Sequence, residues 1–140
     1  MTDIRAQELA DRYIALWLEP DAELRRKAVQ ELWAEDGEHV LQPPQEIRQI
    51  GYDLGFDATT LEARGHEAIE TRVTRSYERF VAGGQFVFRA KGDAVRLRDV
   101  VTFHWESVNV GGGGAVTGGG LEVLMLDEDG RIVTDYMFPS

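Results

Sequence analysis

Apolar residues recur at helical spacing three times before the chain turns to strand-like alternation. Leu9, Ala10, Tyr13, Ile14 and Trp17 fall on one face of a first helix that Asp3 caps and Pro20 stops. Asp21 caps a second, with Leu24, Ala28, Val29, Leu32 and Trp33 on its apolar stripe, Arg25, Arg26 and Lys27 in solvent, and an end at Asp36-Gly37. Glu38 to Gln42 reads as a short strand closed by Pro43 and Pro44, since proline has no ladder donor. Gln42 to Thr60, punctuated by those prolines, Gly51 and Gly55, reads as a long loop, either a functional lid or poorly ordered. A short strand over Thr59 to Arg64 precedes Gly65, which opens a third helix with Ile69, Val73, Ser76, Tyr77 and Phe80 on one face.

From Gln85 onward the pattern is that of a sheet. Gln85 to Ala90, a long strand from Val95 to Val110, Leu121 to Leu126 and Arg131 to Phe138 are separated by Gly92-Asp93, a glycine-rich hairpin loop and the tight turn Asp127-Glu128-Asp129-Gly130. Helices first and a meander after predict an α+β fold, three helices packed on one face of a curved, mainly antiparallel sheet. No repeat or linker divides the chain, so residues 1–140 read as a single domain.

Composition narrows the function classes. At 140 residues, 43% hydrophobic and 29% charged, the chain has the makings of one sizeable core. Its net charge of −10 argues against nucleic acid as a partner, because phosphate binding needs a basic surface. With no cysteine there is no disulfide, thiolate metal site or cysteine nucleophile. The longest apolar run, Tyr13 to Leu18, is far short of the roughly 20 residues of a membrane span, and the N-terminus is too charged for a leader, so the expected compartment is the cytoplasm. Residues 1–60 carry −7, 61–98 carry +3 and 99–140 carry −6, which predicts internal pairing of the basic central segment.

Four stretches, in order, carry a family resemblance: Arg12-Tyr13-Ile14, Glu31-Leu32-Trp33-Ala34-Glu35-Asp36-Gly37, Arg64-Gly65-His66-Glu67-Ala68-Ile69 and Leu126-Asp127-Glu128-Asp129-Gly130-Arg131-Ile132. With the element order, they resemble the NTF2-like superfamily, the cone-shaped fold of ketosteroid isomerase, scytalone dehydratase, limonene epoxide hydrolase and the SnoaL-like cyclases. The resemblance implies a homodimer joined through the outer sheet face and a cone that binds a small, mainly apolar molecule. It also implies roles: Tyr13 stands where the isomerases keep an oxyanion donor, and Glu122 where they keep a protonated acid. The isomerases' general base, an aspartate before a proline, has no counterpart in Val40-Leu41-Gln42-Pro43, so ketosteroid isomerisation is not the leading reading.

The residues themselves extend the candidate site. Tyr13 and Trp17, one turn apart, face either a pocket or the core. Alternation puts Glu122 with Leu124 and Leu126, and Asp135 with Val133 and Met137. On a concave face such carboxyls are desolvated and titrate toward neutrality; on the other face they meet solvent, a subunit or an arginine. His39, two residues before Leu41, is a candidate substitute base or an ordinary strand histidine. Phe103 and Trp105 share a face opposite His104, so they line the pocket with Trp17 and Leu41 if the isomerase-like register holds; a cyclase-like register would instead pair His104 with Glu122. No histidine has a partner at metal-ligand spacing, and the glycine tract matches no phosphate loop. The expected chemistry is therefore acid/base work without metal or cofactor, an isomerisation, cyclisation, dehydration or hydrolysis by Tyr13, His39, Glu122 and Asp135. The alternative is a binding or assembly module that has lost the base.

Overall fold

In the computed structural model, which describes residues 3–140, helix α1 spans Ile4–Leu18 and α2 spans Ala22–Leu32. Both start where a carboxylate meets free backbone donors. Asp3 accepts from the N–H groups of Arg5 and Ala6 at 2.9 and 3.1 Å, and Asp21 from those of Glu23 and Leu24 at 2.8 and 3.1 Å. In α2 the expected stripe is rotated: Leu24 is 51% exposed, whereas Arg25 is buried. Arg25 Nη1 donates to the carbonyls of Glu19 and Pro20 at 2.8 and 3.0 Å, and its guanidinium lies 5.0 Å over the Tyr77 ring. Orphan carbonyls beyond α1 are thus satisfied by a side chain whose stem covers apolar surface.

Strand β1 (Trp33–Leu41) begins earlier than expected, directly after α2, and is bulged between Trp33 and Glu38. The region read as a loop contains helix α3 (Gln45–Asp53), which follows Pro44 and leaves Ile47, Ile50 and Tyr52 exposed. Gly51 does not break it, because the glycine makes room for Thr59, which any side chain there would overlap. Strand β2 (Leu61–Arg64) and helix α4 (Gly65–Ser76) follow. The helical path then widens to a π turn at Tyr77–Val81, with the Ala82 N–H donating to Tyr77 at 2.9 Å, so the expected α-period does not continue to Phe80.

Strands β3 (Phe86–Ala90), β4 (Val95–Leu97), β5 (Val100–Asn109), β6 (Ala115–Leu126) and β7 (Ile132–Pro139) complete the sheet, ordered β2-β1-β7-β6-β5-β3 with β4 beside β5. All pairings are antiparallel except β1 with β7. The single strand expected over Val95 to Val110 is broken at Arg98, whose φ of 51° turns β4 back on β5. The glycine tract divides in two. Gly111 to Gly114 turn the hairpin, with φ of 79° and 81° at Gly113 and Gly114, while Gly118 to Gly120 belong to β6 opposite Ser107, Glu106 and Trp105. A Cβ on Gly120 would stand 2.6 Å from the Trp105 ring, so this bare backbone is room for an indole.

Helices α1 and α4 close over the concave face of the sheet, around a core of Trp33, Tyr13, Phe103, Leu16, Ile69, Leu124 and Ile132. Glu122 points inward with Leu124 and Leu126 as alternation predicts, and Asp135 inward with Met137. Val133 does not join them. A register shift between Met125 and Leu126 leaves it unpaired, and Ile132 takes the inward place. Among the described residues no helix is long and apolar enough to cross a membrane.

Candidate functional site

The parallel pairing of β1 with β7 sets His39 directly beside Asp135, and the antiparallel pairing of β6 with β7 brings Glu122 one diagonal away. From the opposite layer, α1 drops the Tyr13 ring between them. Asp135 Oδ2 lies 2.6 Å from Tyr13 Oη and 2.8 Å from His39 Nδ1, while Glu122 Oε2 lies 3.1 Å from the same phenol oxygen. Trp105 Nε1 donates to Glu122 Oε1 at 2.9 Å. Tyr13, His39, Glu122 and Asp135 are each at most 1% exposed as residues.

Their protonation follows from this geometry. Burial, then the charge of Asp135, pushes the Glu122 carboxyl well above the usual range. Burial would raise Asp135 too, but attraction to His39 and the hydrogen bonds converging on it win, and it is held below its ordinary value. Burial and the two carboxyls push the Tyr13 phenol up, keeping it protonated. One phenol proton cannot serve two carboxylates. Asp135, ionised and at 2.6 Å, is its nearer acceptor, and Glu122, at 3.1 Å, the farther one. His39 turns Nδ1 to Asp135 and Nε2 away from the chain of groups, and neither Nε2 nor Asp135 Oδ1, both buried, has a hydrogen-bond partner among the described residues.

Next to this chain lies a cavity of about 310 Å³. Tyr13, Trp17, Leu41 and Trp105 are on its wall. Phe103 is not: it packs edge-on behind Tyr13, ring centroids 5.5 Å apart, at 1% exposure. Glu122 and Asp135 also stand behind the wall, Glu122 against Tyr13 and Trp105 and Asp135 against Tyr13. A broader cleft of about 940 Å³ adjoins, with His39 on its wall and Leu41, Arg72, Ser76 and Phe80 shared by both. His104 points away, exposed and 2.6 Å from Asp93 Oδ2, which excludes a pair with Glu122. His66 contacts the Trp33 carbonyl at 2.8 Å. Among the described residues no group of three or more carboxylates and histidines could hold a metal ion.

Arg72 is the site residue that the sequence reading passed over. Its signal is its spacing: Ile69, Arg72, Val73 and Ser76 make one i, i+3, i+4, i+7 stripe, with a guanidinium where an apolar side chain belongs. It lies 5.0 Å over the Trp17 ring, and burial pulls its pKa down. The expected internal pairing of the basic segment is only partial. Arg64 and Arg89 pair with glutamates, but Arg72, Arg75 and Arg79 have no ion pair among the described residues.

No protein-family model matches the chain, and no curated protein is similar to it in sequence. Solved structures are similar in fold. A candidate isomerase of the SnoaL-like family from Agrobacterium tumefaciens C58 superposes with a TM-score of 0.77 at 22% identity, covering 99% of each chain. An NTF2-like protein of unknown function from Exiguobacterium sp. 255-15 superposes at 0.62 and 17% identity, over 94% of this chain and 98% of that one. A candidate SnoaL-like polyketide cyclase from Jannaschia sp. CCS1 gives 0.67 at 11%, over 99% of this chain and 88% of that one.

Proposed function

The chain has the NTF2-like cone fold, and from that premise we propose that its cavity binds a small, mainly apolar molecule and that the buried chain performs acid/base chemistry on it without a cofactor. Tyr13, on the wall, turns its proton from Asp135 to an oxygen of the ligand. Glu122 holds the proton that replenishes the phenol. His39 Nε2 is the base, and Asp135 positions His39 and steadies the imidazolium that forms. Proton moves of this kind serve an isomerisation, cyclisation, dehydration or hydrolysis.

The supporting observation is Asp135 Oδ2 accepting from both Tyr13 and His39, at 2.6 and 2.8 Å, in a fully buried place. Burying an ionised carboxylate costs several kcal/mol, and an apolar core of the same volume would be at least as stable, so a four-member polar chain beside a cavity reads as chemistry rather than scaffolding. Native mass spectrometry of the purified protein should reveal a retained molecule of a few hundred daltons. Incubated with protein in D₂O, that molecule should gain deuterium, and Tyr13→Phe and His39→Gln should stop the exchange. A retained molecule that gains no deuterium would leave the second reading, a binding module. That reading is favoured by the depth of the four groups and the missing carboxylate at Leu41-Gln42.

The outer sheet face carries the proposed homodimer contact. Leu121, Val123, Met125, Tyr136 and Phe138 stand in adjacent outward rows, with Tyr136 and Phe138 each 40% exposed. Sedimentation should give a dimer that Tyr136→Glu dissociates; a monomeric native protein overturns this part.

A further inference from the structure

We infer that the ligand is an organic acid, its apolar body in the cavity and its carboxylate on Arg72, with Arg75 and Arg79 drawing it in across the adjoining cleft. This rests on the cavity being the ligand site. Arg72 stands on the wall common to both spaces, its guanidinium 5.0 Å over the Trp17 ring. It has no hydrogen-bond acceptor and no ion pair among the described residues. A guanidinium carries five donors, and one held against an indole keeps its N–H edge free for the paired oxygens of a carboxylate.

The surrounding acids do not fill that role. Asp135 and Glu122 attract the Arg72 guanidinium from a distance, but neither forms an ion pair or hydrogen bond with it: Asp135 Oδ2 is occupied by Tyr13 and His39, Glu122 Oε1 by Trp105, and the partnerless Asp135 Oδ1 is buried beyond its reach. On the adjoining cleft Glu62 is held by Thr60 and Arg64, and Glu67 pairs with none of the three arginines. In a protein of net charge −10, three unpaired arginines on one cleft make a local positive field that concentrates anions there. The ionised Asp135 nearby favours a monoanion over a dianion such as a phosphate monoester.

Calorimetric titration with 2-naphthylacetate, its methyl ester and 2-naphthyl phosphate tests this. The acid should bind about tenfold more tightly than the ester, the scale of one charge-assisted contact. Arg72→Gln should bring that ratio to about twofold or less, and Arg72→Lys should retain part of it, because an ammonium cannot fork. Equal binding of acid and ester by the native protein overturns the inference while leaving the cavity's role intact. So does a preference that survives Arg72→Gln, or a phosphate that outcompetes the acid. If neither acid nor ester binds, the cavity reading fails and takes this inference with it. The native-protein comparison decides even where Arg72→Gln melts.

Discussion

The floor of the cavity and its outer wall treat charge in opposite ways. On the floor, Trp105, Glu122, Tyr13, Asp135 and His39 form one hydrogen-bonded chain that is in place before any ligand arrives. On the outer wall, Arg72, Arg75 and Arg79 face the cleft with no ion pair among the described residues. The difference separates two tasks. Reactive groups are preorganised by the fold itself, at a cost in burial, whereas recognition of the ligand is left to cations that solvent screens until the ligand replaces it.

Breaking the floor should have the largest effect. Asp135→Asn leaves Tyr13 and His39 without their ionised acceptor and should cost about 3–5 kcal/mol in urea unfolding, the scale of a disrupted buried ion pair. Glu122→Gln replaces a neutral acid by a neutral amide and should cost about 1 kcal/mol or less. Equal losses would show that Glu122 is ionised. Behind the floor, Gly120→Ala drives a methyl into the Trp105 ring and should cost about 1–3 kcal/mol with a change in tryptophan fluorescence, whereas Gly113→Ala, at positive φ, should cost about 1 kcal/mol without one.

The pH dependence sharpens the comparison. Glu122, raised by folding, contributes stability that is full below its unfolded pKa and is lost as pH rises through its folded value. Asp135, lowered, contributes stability present above its unfolded pKa and lost as pH falls through its folded value. Melting temperature against pH should therefore be a dome. Glu122→Gln should flatten only its alkaline limb; an unchanged alkaline limb assigns it to another group. The outer wall should matter least to stability. Arg72→Gln loses its stacking on Trp17 and should cost about 0.5–1 kcal/mol, measured by urea unfolding. A larger loss would make Arg72 a structural counter-charge to Asp135.

Much of the fold was legible because its signals are local. Asp3, Asp21 and Pro20 act on neighbouring residues, and alternation alone put Glu122 on one face with Leu124 and Leu126 and Asp135 on one face with Met137. What escaped depends on partners far along the chain. Val133 faces out because of a bulge that its own strand does not encode, and Arg25 is buried because carbonyls after α1 need donors. Helix α3 was hidden by Gly51, which reads as a breaker until Thr59 is set against it. The site was legible as a list of side chains but not as a depth ordering. Only three-dimensional packing places Phe103, Glu122 and Asp135 behind Tyr13, and only the stripe shared with Ile69 and Ser76 betrays Arg72.

The bare segment of β6 has an evolutionary consequence. Gly118 and Gly119 line the cavity, and the tolerance to added bulk rises along the strand away from Trp105: at Gly120 a Cβ meets the indole, at Gly119 the Trp105 carbonyl at 2.6 Å, at Gly118 nothing nearer than 4.0 Å. One permissive position beside two forbidden ones is a dial. Substitutions at Gly118 can shorten the accommodated ligand in small steps while the proton-handling chain stays untouched, so size selectivity is free to drift without the chemistry being rebuilt.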